Sequence, residues 1–333
     1  MLSRLAQSVE RNWYQPAWRN AWLLPLIPLV ALVVNIKRWR HQRSPASPLA
    51  VPVLVVGNIT VGGTGKTPFM TYLVAQIQAR GLRVGIVSRG YGGKSAQYPL
   101  WVTSETPVDE CGDEPKLLQQ RLLCPVVVDP QRARAAQALI GHVDIILSDD
   151  GLQHYALTRQ AEVVVIDAGR GFGNGWLLPV GPLREPVSRL QQADLCLRNG
   201  DDFHVQALSL LNVASGLQRP LTDLSGLTVH AVAGIGHPER FFKTLRDLGA
   251  HVIPHPFPDH YAYQMHDVQF DDEHLIVMTE KDWVKCHEFA DERHWYLTIG
   301  VVLDEQAERH ISDLLNRVLS HSVTVNKEEK NHG

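Results

Sequence analysis

Cysteine is scarce in this 333-residue sequence, and its spacing excludes two common kinds of site. The four cysteines include no CxxC pair and stand far apart, at Cys111, Cys124, Cys196 and Cys286. Neither a disulfide framework nor a zinc site built on cysteine pairs is indicated, and a reducing, cytosolic compartment fits best. No internal repeat is apparent. The composition, 44% hydrophobic and 20% charged, is that of a globular protein with one large or two medium domains.

The sequence also lacks an apolar run long enough to span a bilayer. The best candidate is the fourteen uncharged residues from Ala21 to Val34. As a helix this run would reach about 21 Å, against a hydrocarbon core of ~30 Å. Pro25 and Pro28 interrupt it, and no convincing secretory cleavage site follows it. We therefore predict a segment that lies in the membrane interface, with a core helix of the main domain as the alternative.

The residues around this run have the chemistry of an interfacial anchor. Aromatic rings suit headgroup depth and cations suit anionic lipid phosphates. The aromatic residues precede the run, at Trp13, Tyr14, Trp18 and Trp22, and the basic residues follow it, at Lys37, Arg38, Arg40 and Arg43. Residues 1–43 are accordingly predicted to form an N-terminal membrane-associated helical segment.

Positive charge is concentrated at the N-terminus. Residues 1–50 hold seven Lys and Arg against the single Glu10, a net charge of +6, whereas the remainder carries −9. A basic, apolar N-terminus on an acidic body indicates anionic lipid as the partner. Nucleic acid is not predicted as a partner, since it would require basic residues on the folded domain itself, and nothing indicates an obligate protein partner.

Downstream of a Pro- and Ser-rich connector at 44–52, short apolar runs alternate with helical stretches. This alternation predicts an α/β fold with a doubly wound, mostly parallel sheet. The pattern restarts after position 223, which predicts a second, smaller α/β lobe. We expect a core at 44–223, the lobe at 224–325 and a disordered polar tail at 326–333. Candidate strands are 53–56, 84–88, 126–129, 144–148, 163–167, 228–233, 251–254, 275–278 and 295–299, and candidate helices are 67–80, 114–123, 131–141 and 238–248.

The strand at 53–56 runs directly into the string GNITVGGTGKTP, after which the chain becomes helical. A strand, a glycine loop and a helix in this order are the context that a P-loop requires. Backbone N–H groups of the loop would bind ATP phosphates, Lys66 would reach the terminal phosphates, and the Thr67 hydroxyl would meet Mg²⁺. Thr60 stands where the strict pattern has Gly, but the GGTGKT core is specific. The predicted ATP-binding residues are Thr60, Val61, Gly62, Gly63, Thr64, Gly65, Lys66 and Thr67.

Further strings in a specific order and spacing accompany the P-loop. They are SRGYGG at 88–93, GDEP at 112–115, DDGLQH at 149–154, GPLREP at 181–186, AGIGHPERFF at 233–242, PDHYAY at 258–263 and TEKDWVK at 279–285. Together with the loop, they resemble the tetraacyldisaccharide 4'-kinase family of lipid A biosynthesis over nearly the whole chain.

The resemblance implies transfer of the ATP γ-phosphate to the 4'-hydroxyl of tetraacyldisaccharide 1-phosphate, giving lipid IVA. It also implies ATP and Mg²⁺ as cofactors and a location on the cytoplasmic face of the bacterial inner membrane. The family's catalytic pair falls on Asp113 of GDEP and His260 of PDHYAY. If the substrate is such a lipid, the N-terminal segment could hold its acyl chains instead of, or in addition to, anchoring the protein.

Sugar hydroxyls are poor nucleophiles, so a carboxylate that orients the hydroxyl and takes its proton aids transfer. Asp113 is the candidate for this role, with a helix N-cap as the alternative reading. His260 would hydrogen-bond Asp113 across the cleft between the lobes. His251, His255 and His266 lie near His260 in sequence, but their spacings fit no metal site.

Asp149 and Asp150 end an apolar strand, where a P-loop fold holds its Mg²⁺. Either could be the ligand. The resemblance adds Glu185 as a second magnesium-linked position, although a loop glutamate can equally be solvated. Further candidates for contacts with phosphate or substrate are Arg89, His154 and Arg184. The arginines are candidates because a planar guanidinium suits phosphate, and a surface salt bridge is the alternative for each.

Two other classes of protein remain open from the P-loop alone. A membrane-associated switch ATPase pairs the same loop with an amphipathic helix, but such proteins usually carry a lysine where Val61 stands. A nucleotide-binding scaffold without catalysis would not need Asp113. The switch ATPase reading also leaves GDEP and PDHYAY without a purpose.

Overall fold

The computed structural model describes residues 8–43 and 48–330, and these build a three-layer α/β arrangement around one sheet. The thirteen strands of that sheet run in the order β11-β10-β12-β13-β8-β7-β6-β1-β5-β2-β4-β3, with β9 added on β8. Most neighbours are parallel, and the antiparallel pairs are β3 with β4, β8 with β13 and β8 with β9. The predicted fold class is confirmed.

The strands are β1 (Val53–Gly57), β2 (Val84–Ser88), β3 (Leu100–Val102), β4 (Val126–Val128), β5 (Ile145–Asp149), β6 (Ala161–Asp167), β7 (Leu195–Asn199), β8 (Phe203–Asn212), β9 (Gln218–Arg219), β10 (Thr228–Ala233), β11 (His251–Pro256), β12 (Leu275–Thr279) and β13 (His294–Leu303). The α-helices are α1 (Ile27–Arg43), α2 (Lys66–Gln78), α3 (Val108–Cys111), α4 (Asp113–Arg121), α5 (Arg132–Leu139), α6 (Pro238–Asp247), α7 (Glu280–Cys286) and α8 (Glu305–Lys330). Every predicted strand and helix matches one of these within a few residues.

The central strands are apolar because both faces of the sheet are covered. All five residues of β1 are buried, and β1 lies parallel to both β5 and β6. Such continuous Val, Ile and Leu runs are typical of parallel sheets with helices on both sides. Val56 of β1 pairs with Asp149 of β5, so the glycine loop after β1 and the acidic residues at the end of β5 meet at one edge.

One sheet runs through both predicted lobes. The antiparallel pairing of β8 with β13 joins the P-loop half to strands β10, β11 and β12. The C-terminal half nevertheless has its own apolar clusters, one built on Leu245 and Trp295 and another on Met278. The division at 223/224 stays a prediction.

Part of the N-terminal segment packs against the core. Residues 8–12 are helical, Ala17–Leu26 forms a 3-10 helix, and α1 follows. Trp13 was predicted to sit in the interface, but it is 8% exposed and its indole N–H donates to the Pro179 carbonyl, 3.0 Å away. Tyr14 was predicted to join it, but its ring lies under Arg170. The sequence pattern missed this because it cannot show that residues 174–180 pack here.

Other side chains of the segment do face outward. Trp18 is 71% exposed and Trp22 60%, and the apolar exposure continues through Leu29, Leu32, Ile36 and Trp39. The predicted basic side chains at Lys37, Arg38, Arg40 and Arg43 lie outside the described side chains. In the part of the chain that the structure describes, no helix is long and apolar enough to cross a bilayer.

At the C-terminus, α8 continues through Lys330, where disorder was predicted from residue 326. Glu and Lys are good helix formers, so the polar composition of this stretch allows the helix to propagate. Residues 331–333 of the predicted tail lie outside the described residues.

Candidate active site

The glycine loop after β1 has the geometry of an anion site. Gly62 and Gly65 have φ values of 103° and 93°, a backbone conformation that residues other than glycine rarely adopt. Gly65 is the N-cap of α2, so the positive end of the helix dipole and its free N–H groups point toward the loop. Thr64 is buried, and its hydroxyl has no hydrogen-bond partner among the described residues.

The GPLREP string is hydrogen-bonded to the backbone of this loop and of the residues before it. Val61 N–H donates to the Pro182 carbonyl at 2.9 Å, and Thr60 bridges Leu183. Arg184 N–H donates to the Ile59 carbonyl at 2.7 Å. Two strings 120 residues apart in the chain therefore form one structure.

Charged groups gather where β5 ends. Asp150 Oδ1 lies 3.6 Å from Lys66 Nζ, and Arg184 donates to Asp150 Oδ2 at 2.6 Å. Burial alone would raise the pKa of Asp150, but the positive charges of Lys66 and Arg184 lower it. Burial raises the pKa of its neighbour Asp149, and Glu114 and Asp150 add to the effect. Two adjacent carboxyls thus differ in their readiness to ionise.

The donors at this edge fit Mg²⁺. Asp150 Oδ1 is buried without a hydrogen-bond partner among the described residues, and Asp149 and Thr67 supply further oxygens at the same edge. Hard oxygen donors are what Mg²⁺ prefers, and it usually binds through one or two carboxylates, waters and substrate phosphates. Accordingly, within the described ranges no group of three or more His, Cys, Asp or Glu residues could hold a metal by itself.

Glu185 occupies a different setting from Asp150. It is 1% exposed, its Oε1 accepts from Gln153 and its Oε2 from the Tyr155 hydroxyl, each at 2.7 Å. Arg189 Nε is 3.4 Å from Oε2. Both carboxylate oxygens of Glu185 are thus already hydrogen-bonded to side chains, and one of these, Gln153, also donates to the Asn58 carbonyl next to the P-loop. The magnesium role assigned to Glu185 stays a prediction.

The structure brings Asp113 and His260 together. His260 Nδ1 is 3.0 Å from Asp113 Oδ2, across 147 positions of sequence. Helix α4 begins at Asp113 with Gly112 as its N-cap and no side-chain cap hydrogen bond, so Asp113 does not act as a cap. Burial would raise the pKa of Asp113, but the hydrogen bond with His260 and the charges of Lys285 and Lys281 lower it. The carboxylate is held ionised and oriented.

Glycines let the loops around Asp113 approach each other closely. A Cβ on Gly112 would lie 2.5 Å from the Tyr91 carbonyl, and one on Gly93 would lie 2.6 Å from the backbone of Cys111. The Tyr91 ring then contacts the His260 ring at 5.4 Å between centroids. The SRGYGG and GDEP strings are therefore one unit, which explains their glycines.

Arg89 and His154, the other candidates for contacts with phosphate or substrate, follow strands at the same edge of the sheet. Arg89 is exposed directly after β2, and its charge contributes to lowering the pKa of buried Arg132. His154 closes a turn after β5 through a backbone hydrogen bond with Gly151. Two other histidines that lie near His260 in sequence have partners of their own. His255 hydrogen-bonds His230, and His266 lies beside Asp267.

Sequence reasoning missed two arginines that hold the site together. Arg132 is 7% exposed and donates to the carbonyls of Asp149 and Asp150, at 2.9 Å each. Arg170 donates to the Gly63 carbonyl of the P-loop and contacts His237 of the second half at 3.0 Å. Neither arginine stands in a string that signals phosphate chemistry, so only their places in the fold reveal them.

A nucleotide loop, an acidic strand end and a hydrogen-bonded Asp–His pair on one sheet edge define a P-loop phosphotransferase. A model of the tetraacyldisaccharide-1-P 4'-kinase family matches residues 19–317. This chain is 46% identical to a tetraacyldisaccharide 4'-kinase of Hahella chejuensis, over 94% of this chain and 98% of the relative. It is 48% identical to that of Pseudomonas aeruginosa, over 87% and 91%.

A solved structure agrees. The crystal structure of LpxK from Aquifex aeolicus in complex with ATP superposes with a TM-score of 0.77 at 28% identity, covering 90% of this chain and 99% of that one. The chain belongs to the tetraacyldisaccharide 4'-kinase family, as the sequence motifs predicted.

Proposed function

We propose that this kinase transfers the γ-phosphoryl group of ATP to the 4'-hydroxyl of tetraacyldisaccharide 1-phosphate, the conversion that yields lipid IVA, with Asp113 as the general base. Family membership over nearly the whole chain supports the substrate and the donor. The observation that supports the base is the 3.0 Å contact between the buried Asp113 carboxylate and His260 Nδ1.

The residues divide the work between the phosphates and the acceptor. The P-loop N–H groups and Lys66 bind the ATP phosphates, and Arg184 holds Asp150 in place beside Lys66. Mg²⁺, held by Thr67 and Asp150 or Asp149, would neutralise charge on the phosphates. Asp113 accepts the hydroxyl proton as the new O–P bond forms and the bond to the β,γ-bridging oxygen breaks, releasing ADP. His260 keeps the Asp113 carboxylate oriented.

The exposed apolar side chains of the N-terminal segment support association with a membrane. Trp18, Trp22, Leu29 and Leu32 are exposed on a segment that is docked to the core through Trp13. Rings at headgroup depth and aliphatic side chains below them suit monotopic binding, in which the enzyme meets its lipid substrate at the cytoplasmic face of the inner membrane. The same surface suits the acyl chains of the substrate.

The test is transfer of labelled γ-phosphate from Mg-ATP to purified tetraacyldisaccharide 1-phosphate. The wild type should give a labelled bisphosphorylated lipid, and Asp113→Asn should lower kcat by roughly 10²–10⁴-fold while ATP binding changes little, since a base acts in the chemical step. ATP hydrolysis stimulated by membranes without labelled lipid would overturn the kinase assignment. Equal losses in kcat and ATP affinity would remove Asp113 from the role of base.

A further inference from the structure

The TEKDWVK string at 279–285 takes no part in the mechanism described so far, yet it folds against Asp113. Thr279 caps helix α7, its hydroxyl accepting from the Asp282 N–H at 3.2 Å. Asp282 is fully buried, and its Oδ2 accepts from the Gly234 N–H at 3.0 Å. These bonds fix α7 at the end of β12 and set the direction of Lys285 near the end of that helix.

Lys285 is a buried cation with an unusual set of neighbours. Its side chain is 7% exposed, and its Nζ makes no hydrogen bond among the described residues. That atom lies 3.1 Å from Asp282 Oδ1, 3.7 Å from Asp113 Oδ2 and 5.0 Å from the Tyr263 ring centroid. Burying an ammonium is costly unless it is compensated, and here two carboxylates and an aromatic face do so.

We propose that Lys285 is a positioning residue for the phosphoryl transfer, acting through Asp113: its ammonium holds the base ionised and turned so that Oδ1 faces the acceptor hydroxyl. The proposal rests on the proposed function, since it assumes Asp113 as the base. Among the described residues, His260 and Lys285 both engage Oδ2 of Asp113, which leaves Oδ1 for the substrate.

Among the lysines around Asp113, Lys285 has the strongest effect on its carboxylate. From α7, Lys281 and Lys285 face the carboxylate, but Lys281 is ion-paired with Asp259 at 2.9 Å, next to His260. On the Asp113 side, Cys111 and Glu114 are the titratable neighbours, and Asp282 lies behind Lys285. Burial favours the neutral carboxyl, so the loss of a contacting cation allows Asp113 to take up a proton more readily.

The arrangement also means that the C-terminal half of the molecule supplies the groups that position the base. Asp113 belongs to α4 of the P-loop half, whereas His260 and Lys285 come from the segments after β11 and β12. The carboxylate therefore receives both partners only when the two halves pack together. A base assembled in this way would be weak in any opened form of the enzyme.

The experiment is a double-mutant cycle on kcat with Lys285→Met and Asp113→Asn. Lys285→Met should lower kcat by roughly tenfold or more, with the KM for ATP changed less than about twofold. In the double variant the loss should equal that of Asp113→Asn alone, because a residue that acts through Asp113 has nothing left to act on. Lys243→Met, which removes an exposed lysine of the same half, is the matched control and should behave as wild type.

The pH profile of kcat supplies a readout that a purely structural role would not move. Lys285→Met should acquire an acid limb, its rate falling on acidification where the wild-type rate holds, and Lys285→Arg, which keeps the charge, should restore the wild-type profile. Lys285→Gln serves the same tests if the Met variant does not fold. Losses that multiply in the double variant, or a profile parallel to wild type, would overturn the proposal. Wild-type kcat in Asp113→Asn would instead show that Asp113 is not the general base.

Discussion

Backbone strain at single residues coincides with the site. Asp150 and His260 are the two non-glycine residues with positive φ, at 48° and 60°, among the residues that the structure describes. Such a conformation costs about 1–3 kcal/mol and persists only where surrounding contacts enforce it. Here the enforcing contacts are Lys66 and Arg184 for Asp150, and Asp113 for His260. Both strained residues aim their side chains at the chemistry.

Among the residues of the phosphate site, Lys66 is the one whose charge we expect to matter most for the rate of transfer. Lys66→Ala should lower kcat at saturating ATP by roughly 10²–10³-fold, because the ammonium stabilises charge that develops on the transferring phosphoryl oxygens. Steady-state kinetics with the lipid acceptor checks this. Lys243→Ala is the control, since Lys243 is exposed and pairs with Asp247 on α6. Wild-type kcat in Lys66→Ala would exclude Lys66 from transition-state stabilisation.

At the level of elements, the sequence predicted what local pattern determines. Buried runs such as 53–57 and 84–88 read as parallel strands because both faces are apolar. β8 was missed because its exposure alternates, as in an antiparallel strand, and because its partner β13 begins only at His294. Lys285 and Arg170 were missed for the same reason: their partners are distant in sequence, and a lone Lys or Arg carries no signal of burial.

The N-terminal segment divides its side chains between the core and the outside. Asn20 is 1% exposed and donates to the carbonyls of Val9 and Val180, while Trp18 and Trp22 on the same 3-10 helix are exposed. Removing residues 1–43 would therefore uncover part of the core as well as remove the apolar surface. Substitutions on the exposed side separate the two effects.

We expect the combined change Trp18→Ser and Trp22→Ser to weaken binding to vesicles of anionic phospholipid by roughly 100-fold or more. Each ring withdrawn from the interface removes about 1.5–3 kcal/mol of apolar transfer energy. Sedimentation with the vesicles measures the change. The pair Trp101→Ser and Leu123→Ser, which removes exposed apolar side chains elsewhere, is the control. Unchanged sedimentation of the first variant would place the membrane contact outside this helix.

Across the whole molecule, the contacts that form the site bridge the two halves. Asp167 of β6 accepts from Arg240 of α6 at 2.8 Å, and Arg170 joins the P-loop to His237. Arg121 of α4 pairs with Glu280 of α7 at 2.5 Å. The continuous sheet fixes the halves along β8 and β13, while these pairs align the helices that carry Asp113 and Lys285. Alignment and catalysis should therefore be separable by mutation.

The Arg121–Glu280 pair offers that separation because, among the described residues, neither side chain has a hydrogen bond or an ion pair with Asp113 or the P-loop. Burial raises the pKa of Glu280, which is 6% exposed, to about 7, and Arg121 favours its charged form. Arg121→Met should therefore lower the free energy of unfolding by about 3–5 kcal/mol above neutral pH, where Glu280 would remain a buried carboxylate without its partner. Adding Glu280→Leu should recover most of that loss, because a well-packed apolar pair can replace a buried ion pair. Urea unfolding measures the free energy, and kcat of the stable double variant shows whether alignment needs the charges. A loss below about 1 kcal/mol in Arg121→Met would mean that the pair behaves as an exposed one and does not hold the halves together.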